Sequence, residues 1–205
     1  MSIGLKIGTV AVEQHNVKWE LLAEETIQIL KEVLKEDLID AQHIGSTAIK
    51  KICAKPIIDI VVGVSSFDRI FKHNDELAQR GIVYRREDHP GQHLYVSGEL
   101  EKNIQTHYIH VVIWGQASWN NYINMRDYLN AHEDKAMEYS KLKVYLAEKF
   151  SEDRIAYTNG KSDFIEDILR SANIWKNATT ERIKSQFLEL NKFAVCCYDV
   201  ALGGK

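Results

Sequence analysis

The chain has 205 residues, of which 45% are hydrophobic and 27% charged, as expected for one globular domain or for a main domain with an extension. Its formal net charge of −3 is well mixed along the chain, which predicts neither a nucleic-acid-binding surface nor a basic patch for membranes. Three cysteines without C-x-x-C spacing, no secretory signal and no uncharged run near the ~20 residues of a membrane span predict a reduced, cytoplasmic protein.

The first 115 residues alternate between helical and strand-like patterns. Apolar residues at helical spacing predict an amphipathic helix over 17–38, and a second helix is predicted over 68–79, ending at Gly81. Strands are predicted over residues 41–44, 57–64, 82–86, 92–97 and 105–114. Because only a short turn joins the last two strands, we expect them to pair in antiparallel fashion.

After residue 115 the pattern is almost entirely helical. Helices are predicted over residues 122–131, 135–150, 161–174 and 180–193. We therefore expect an α+β fold with a small mixed sheet packed by helices on one face (1–115), a helical C-terminal part (116–175) and an extra C-terminal helix or tail (176–205). The apolar spacing of residues 187–202 suits an oligomer contact and a packed helix equally, so no oligomeric state is predicted.

One carboxylate interrupts the apolar strand predicted over 57–64. Side chains alternate faces along a strand, so one face is unbroken and apolar, consisting of Ile58, Ile60, Val62 and Val64. Asp59 lies on the opposite face, near Gly63, whose small size is expected to leave room there. Because a buried acid without a partner is costly, Asp59 is expected to face either a cleft or solvent.

The turn before this strand has the composition of a phosphate site. Gly45, Ser46 and Thr47 follow a predicted strand and open a brief helix that Ser46 could cap, so backbone N–H groups and a positive helix end would converge on an anion. A magnesium ion held by Asp59 and by phosphate oxygens is the usual companion of such a turn. The alternative is a capped helix beside an exposed acid.

This combination resembles the polymerase-β-type nucleotidyltransferases, which follow a Gly-Gly or Gly-Ser turn with two acids on one strand face. Gly45, Ser46 and Asp59 match the first parts of that pattern, but Val61 stands in place of the second acid. Two acids would hold two metal ions for displacement at phosphorus, whereas one acid holds Mg²⁺ weakly. Residues 87–88, Glu-Asp, are the only nearby acids in sequence that could substitute.

A longer stretch carries a more specific resemblance. Residues 43–64, HIGSTAIKKICAKPIIDIVVGV, closely resemble the signature of the GrpB family, and three later segments resemble its other blocks in order: THYIHVV, MRDYLNAH and YTNGKSDFIEDIL. The resemblance covers about residues 10–172 and implies a nucleotidyltransferase-like fold. It implies no well-established reaction, although the family also occurs as a domain fused to dephospho-coenzyme A kinase. The chain departs from the family pattern at 49–51 (Ile-Lys-Lys for Val-Pro-Gly), at Gln105 (often Arg) and at Tyr108 (His).

Histidines and basic residues are the remaining candidates for catalysis or phosphate contact. His110 shares the face expected to carry Asp59 and could act as a second metal ligand or as a base, whereas His107 is expected in the core. Lys55 and Lys161 could each contact a phosphate as a point charge or remain ordinary surface lysines.

Two further positions stay open between a ligand contact and a structural role. His43 could contact the ligand, orient the Gly-Ser turn or simply pack, and Arg126 could reach a phosphate or form an internal ion pair. The histidines lack the i, i+2 spacing that metal-binding pairs on a strand prefer, so we expect no structural zinc site.

Two functions follow from these residues. The first is Mg²⁺-dependent transfer of a nucleotidyl group to a small acceptor, with Asp59 and His110 as catalytic residues. The second is a non-catalytic accessory module that binds a nucleotide or a coenzyme A-like molecule in a degenerate active site. Both predict a small phosphate-containing ligand, and Val61 is the residue that favours the second.

Overall fold

The computed structural model describes the backbone of residues 3–202 and the side chains of residues 3–186. The helices of this part are α1 (Lys18–Leu34), α2 (Asp68–Phe71), α3 (Asn74–Gln79), α4 (Ala117–Ala131), α5 (Glu133–Lys149), α6 (Arg154–Asn159) and α7 (Ser162–Leu202). The strands are β1 (Leu5–Lys6), β2 (Asp40–Ile44), β3 (Ile58–Val64), β4 (Val83–His89), β5 (Gln92–Ser97), β6 (Ile104–Gln105) and β7 (His107–Ile113). Over these described elements, no helix has the length and apolar character needed to span a bilayer.

Five of the strands form one mixed sheet in the order β2-β3-β7-β5-β4. The neighbours β3 and β7 run parallel, and every other pair in this sheet is antiparallel. The predicted antiparallel pairing of β5 with β7 is therefore confirmed. The predicted strand 105–114 is divided, because residues 104–105 turn aside and pair with β1 in a separate two-stranded ribbon.

The apolar face of β3 is buried as its alternation predicts. Ile58, Ile60, Val62 and Val64 are fully buried in the main core, where they meet Trp19 and other residues of α1 together with residues of α2 and α3. Burying a large aliphatic side chain contributes roughly 1.5–3 kcal/mol, so these four positions are a main source of the sheet's stability. The expected α+β architecture, a small mixed sheet with a helical C-terminal part, is confirmed.

The second face of the sheet is covered at one end by α4. Trp119 packs there against Ile44, Val61 and Val112. Gly63 does not leave room beside Asp59, as the sequence suggested, because a Cβ at this position would lie 2.6 Å from Trp114 and 2.9 Å from Trp119. The space that the missing side chain provides is filled by these two tryptophans.

The helices differ from the predicted ones in three places. The predicted helix 68–79 is two short helices, α2 and α3. The two helices predicted after residue 160 are one continuous helix, α7, because the residues between them include no proline or glycine that would end it. The short α6 has no counterpart in the prediction. The side chains of residues 187–202, considered as an oligomer contact, lie outside the described residues.

Candidate functional site

A cavity of about 580 Å³ lies between the open part of the second sheet face and the C-terminal helices. Strand β3 supplies Asp59 and β7 supplies Tyr108 and His110, while the loop before β3 supplies Lys55. Helices α4 to α7 form the opposite wall, with Lys161 among the residues of that wall. The alternation of β3 and β7 thus brings together the predicted pair Asp59 and His110, and places His107 on the buried face.

Asp59 is the central carboxylate of the cavity, and its side chain is 28% exposed. Its Oδ1 lies 3.5 Å from His110 Nε2, which is the outer limit for a hydrogen bond. On the other side of the imidazole, Gln92 Nε2 lies 3.4 Å from His110 Nδ1, and the Tyr122 hydroxyl donates to Gln92 Oε1 at 3.0 Å. A polar chain from Tyr122 through Gln92 and His110 therefore ends at Asp59.

The Gly45-Ser46-Thr47 turn lies beside Asp59 but is not a helix start. Residues Ser46–Ala48 form a single 3₁₀ turn, and no side chain caps it. The expected helix dipole and Ser46 cap are therefore wrong, since one 3₁₀ turn has too few aligned peptides to make a positive end. Gly45 and Ser46 still line the cavity, whereas Thr47 is buried and lies outside it.

The position where nucleotidyltransferases carry a second acid is occupied here by an apolar residue. Val61 is fully buried in the cluster under α4, on the face that carries Asp59. The two substitute acids considered from sequence do not line the cavity: Glu87 accepts a hydrogen bond from the Gly91 amide at 3.0 Å, and Asp88 pairs with Arg86 at 2.8 Å. Within the described residues, no group of three metal-binding side chains of the His, Cys, Asp and Glu type comes together.

Two lysines contribute positive charge to the cavity. Lys55 Nζ lies 5.1 Å and Lys161 Nζ 4.4 Å from the centre of the same ring, that of Tyr157. Burial, and after it the charge of Arg154, lower the pKa of Lys55 to about 8. Burial likewise lowers the pKa of Lys161 to about 8, with Lys55 as the next cause. Within the described part of the chain, neither lysine has a carboxylate within ion-pair distance.

A third lysine supports the loop that carries Lys55. The ammonium of Lys143 on α5 is buried and donates to the carbonyl of Cys53, and the Cys53 amide donates to Ser140 Oγ at 2.9 Å. Burial, and after it the charge of Lys161, lower the pKa of Lys143 to about 7. Helix α5 thus fixes the backbone two residues before Lys55.

Two of the predicted ligand-binding residues, His43 and Arg126, have contacts within the protein that support the site. His43 is on the α1 side of β2, where its Nε2 lies 2.9 Å from the hydroxyl of Thr47, and burial lowers its pKa to about 4. Arg126 reaches the cavity wall, but its guanidinium pairs with Asp127 at 2.7 Å and donates to the His43 carbonyl at 3.1 Å. Through these contacts His43 and Arg126 position the turn, while a ligand contact of either residue stays a prediction.

Several residues of the cavity were not predicted. Arg154 and Tyr157 lie on α6, which is too short to show a helical period, although Tyr157 begins a segment that carries the family resemblance. Tyr139 on α5 also lines the wall, and burial raises the pKa of its phenol to about 12. Tyr108 and Gln105, two departures from the family pattern, are joined by a hydrogen bond of 2.6 Å.

Comparisons with known proteins agree with the sequence resemblance. The family described as GrpB protein matches residues 9–171. The chain is 39% identical over 170 residues to the glutamate-rich protein GrpB of Alkalihalophilus pseudofirmus, covering 82% of this chain and 98% of that protein. It is 31% identical to the UPF0157 protein YqkA of Bacillus subtilis, where the match covers 82% of this chain and only 48% of the relative.

A solved structure of a GrpB protein is also similar to this chain. The crystal structure of the conserved protein GrpB from Enterococcus faecalis is similar with a TM-score of 0.74 and 28% identity, over 80% of this chain and 99% of that one. Nucleotidyltransferases are among the more distant neighbours: the Cid1 poly(U) polymerase in its MgGTP-bound form has a TM-score of 0.47 and 13% identity over 66% of this chain and 44% of that one.

Proposed function

The chain belongs to the GrpB family, and on that premise we propose that it binds a small phosphate-containing ligand, such as a nucleotide or a coenzyme A-like molecule, in the cavity around Asp59. In this proposal the protein is a binding module with a degenerate nucleotidyltransferase site. The observation that carries the proposal is the excess of cations: Lys55, Lys161 and Arg154 line the cavity, and Asp59 is its only acidic lining residue in the described part of the chain.

Because Lys55 and Lys161 are partly buried, the excess of positive charge in the cavity raises the free energy of the ligand-free protein. An ammonium group in such a position without a counter-charge loses hydration that the protein does not replace. The lowered pKa values of Lys55 and Lys161 express that cost, because each shift means that the charged form is less stable in the cavity than in water. A bound phosphate would supply the missing negative charge and accept charge-assisted hydrogen bonds from both lysines.

The side chains do not fit a resident magnesium ion. Mg²⁺ prefers several oxygen ligands in octahedral geometry, and proteins usually supply one or two carboxylates together with substrate phosphates. Here Asp59 stands alone, Val61 occupies the second position, and two lysines line the same cavity. We therefore assign Mg²⁺ at most the role of a counter-ion that arrives with the phosphates of the ligand.

A second candidate function is nucleotidyl transfer to a small acceptor. The approach of His110 to Asp59 favours it, because a histidine beside a carboxylate in a cavity is a common acid–base arrangement. The absence of a second acid beside Asp59 weighs against it. Release of pyrophosphate from a nucleoside triphosphate, tested against a panel of small acceptors, separates this function from binding alone.

A direct titration tests the binding proposal. We expect ATP and coenzyme A to bind with dissociation constants below one millimolar in isothermal titration calorimetry at pH 7, because two charge-assisted contacts near the upper end of ~1.5–3 kcal/mol each exceed the ~4 kcal/mol that a millimolar constant requires. The titration is run with and without Mg²⁺. If neither compound binds at millimolar concentration, the cavity is not a phosphate site.

Replacing Asp59 by asparagine separates the metal from the phosphate. Without Mg²⁺ the carboxylate repels a bound phosphate, so Asp59→Asn is expected to tighten ATP binding by roughly threefold to tenfold, as one removed like charge near a protein surface would. Addition of Mg²⁺ should strengthen binding to the original protein but not to the variant, where Mg²⁺ only lowers the negative charge of ATP. Calorimetry of both proteins under both conditions measures this, and a variant whose ATP binding is still strengthened by Mg²⁺ would show that Asp59 is not the ligand of the metal.

A reducing, cytoplasmic setting is part of the same proposal. Cys53 is a free thiol, and the adjacent pair Cys196 and Cys197 lies where side chains are not described. Free thiols and phosphorylated metabolites share the reduced interior of the cell, which fits a nucleotide-binding role.

A further inference from the structure

A second groove of about 420 Å³ opens next to the cavity. Three residues line both spaces, Tyr108, Arg154 and Thr158, so the two are in contact along one edge. Arg154 lies over the ring of Tyr108 at 5.3 Å from its centre, and this stacked pair marks the boundary. A ligand that passes Arg154 would therefore leave the cavity and enter the groove.

Two consecutive arginines line this groove because β4 is bulged. In the pairing of β4 with β5, Tyr84 lies opposite Tyr95 and Arg86 opposite Leu94, so Arg85 is an extra residue without a partner. A bulge of this kind interrupts the strict alternation of side chains. As a result both Arg85 and Arg86 line the groove, although alternation alone would send one of them to each face.

The groove combines positive charge with an apolar floor. Arg85, Arg86 and Arg154 supply three guanidinium groups, and in the described part of the chain no acid is among the lining residues. Asp88 neutralises only Arg86, at 2.8 Å. The buried side chains of Leu94 and Val96 form the apolar floor of the groove. Guanidinium groups bind phosphates in a forked geometry, so the charge suits a second phosphate rather than a carbonyl or hydroxyl group.

We propose that the ligand is a molecule with two separate phosphate-bearing ends, one held in the cavity by Lys55 and Lys161 and the other held in the groove by Arg85 and Arg86. This inference rests on the proposed phosphate-binding function and narrows its ligand class. A nucleoside phosphorylated at both ends of its ribose has the required chemistry. The neutral part between its phosphates would lie along Tyr108 and Arg154, where a ring can stack on the guanidinium plane.

The test compares two ligands that differ by one phosphate. Adenosine 5′-diphosphate and adenosine 3′-phosphate 5′-diphosphate are titrated into the full chain and into the double variant Arg85→Gln/Arg86→Gln. We expect the extra phosphate to tighten binding to the original protein by roughly tenfold, since a charge-assisted contact contributes about 1.5 kcal/mol or more. The double variant should lose that gain while its affinity for adenosine 5′-diphosphate stays the same.

A matched control removes two positive charges elsewhere. The variant Arg170→Gln/Arg182→Gln loses the same amount of positive charge as Arg85→Gln/Arg86→Gln, but on the exposed part of α7, outside the cavity and the groove. In this control the extra phosphate should still tighten binding by roughly tenfold. The proposal of a ligand with two phosphate-bearing ends would be refuted if the original protein bound both ligands equally well. It would also be refuted if the 3′-phosphate still tightened binding to Arg85→Gln/Arg86→Gln. Either result would leave the proposed function intact. Binding of neither ligand would overturn both.

Discussion

Replacing both Lys55 and Lys161 by methionine is expected to weaken ATP binding at pH 7 by roughly a hundredfold or more, since each charge-assisted contact with phosphate contributes ~1.5–3 kcal/mol. Methionine keeps most of the length and apolar contact of lysine beside the Tyr157 ring, so the wall of the cavity should be preserved. The free variant should be at least as stable as the original protein, because two poorly hydrated charges are removed. Calorimetric titration and thermal unfolding measure the two effects separately.

The control for this variant removes two lysines from the opposite side of the sheet. Lys18 and Lys31 are exposed on α1 and lie outside both the cavity and the groove. The variant Lys18→Met/Lys31→Met has the same net charge as the test variant and should bind ATP within about twofold of the original protein, because exposed charges at a distance are screened by salt. A similar loss in both variants would mean that ATP responds to overall charge and not to this cavity.

The same two lysines predict how affinity depends on pH. In the free protein their pKa values are about 8, below the usual 10.5, and a bound anion favours the charged form and raises them again. Below pH 7 both lysines are already charged, so affinity for a fixed ligand charge stays level. Above pH 8 a proton must be taken up on binding, which costs about tenfold per pH unit for each neutral lysine. Affinity should therefore fall between pH 7 and pH 9.5, and Lys55→Met/Lys161→Met should lose this dependence.

Strand alternation explains why part of the site could be predicted from the sequence. The period of two along β3 and β7 separates Asp59 and His110 from the apolar residues between them, and the structure keeps both on the cavity face. The parallel pairing of β3 and β7 then sets them side by side. A strand pattern fixes which face a residue occupies, and this is local information that a sequence carries.

The residues whose roles the sequence leaves open or does not indicate depend on longer-range geometry. His43 precedes the Gly-Ser turn, but its neighbour in the sheet is Ile60, which places it on the α1 side. Arg126 lies 67 positions after Asp59, and only the packing of α4 on β2 brings it to the His43 carbonyl. Arg154 and Tyr157 lie on a single short helix, which offers no periodic signal.

The role of Gly45 could not be predicted for a different reason. A glycine after a strand suggests a turn, and the sequence-based expectation was a phosphate cradle at a helix start. In the structure Gly45 has φ +68° and ψ −168°, a backbone conformation that L-residues rarely adopt, and its Cα lies against the side chain of Asp59. Its absence of a side chain is what lets the turn and the carboxylate occupy adjacent positions.

Replacing Gly45 by alanine is therefore expected to lower the free energy of unfolding by about 3 kcal/mol. The backbone conformation alone costs on the order of 1–3 kcal/mol for an L-residue. The new Cβ would lie 2.8 Å from Asp59 Cβ and 2.9 Å from its Cγ, so the strand or the turn must shift at a further cost of ~1–3 kcal/mol. Because the shift moves Asp59, Ser46 and the cavity wall, ATP binding should weaken as well. Urea unfolding and calorimetric titration of the same preparation measure both.

Gly91 provides the matched control for that substitution. Its φ of +73° is close to that of Gly45, but a Cβ built on Gly91 has no heavy atom within 4 Å. Gly91→Ala therefore retains the backbone strain without the steric contact and should cost only about 1–2 kcal/mol, with no change in ATP affinity. The difference between the two variants isolates the contact with Asp59. Equal losses of stability would show that backbone strain alone requires glycine at position 45, and unchanged ATP affinity in Gly45→Ala would show that the turn does not shape the ligand site.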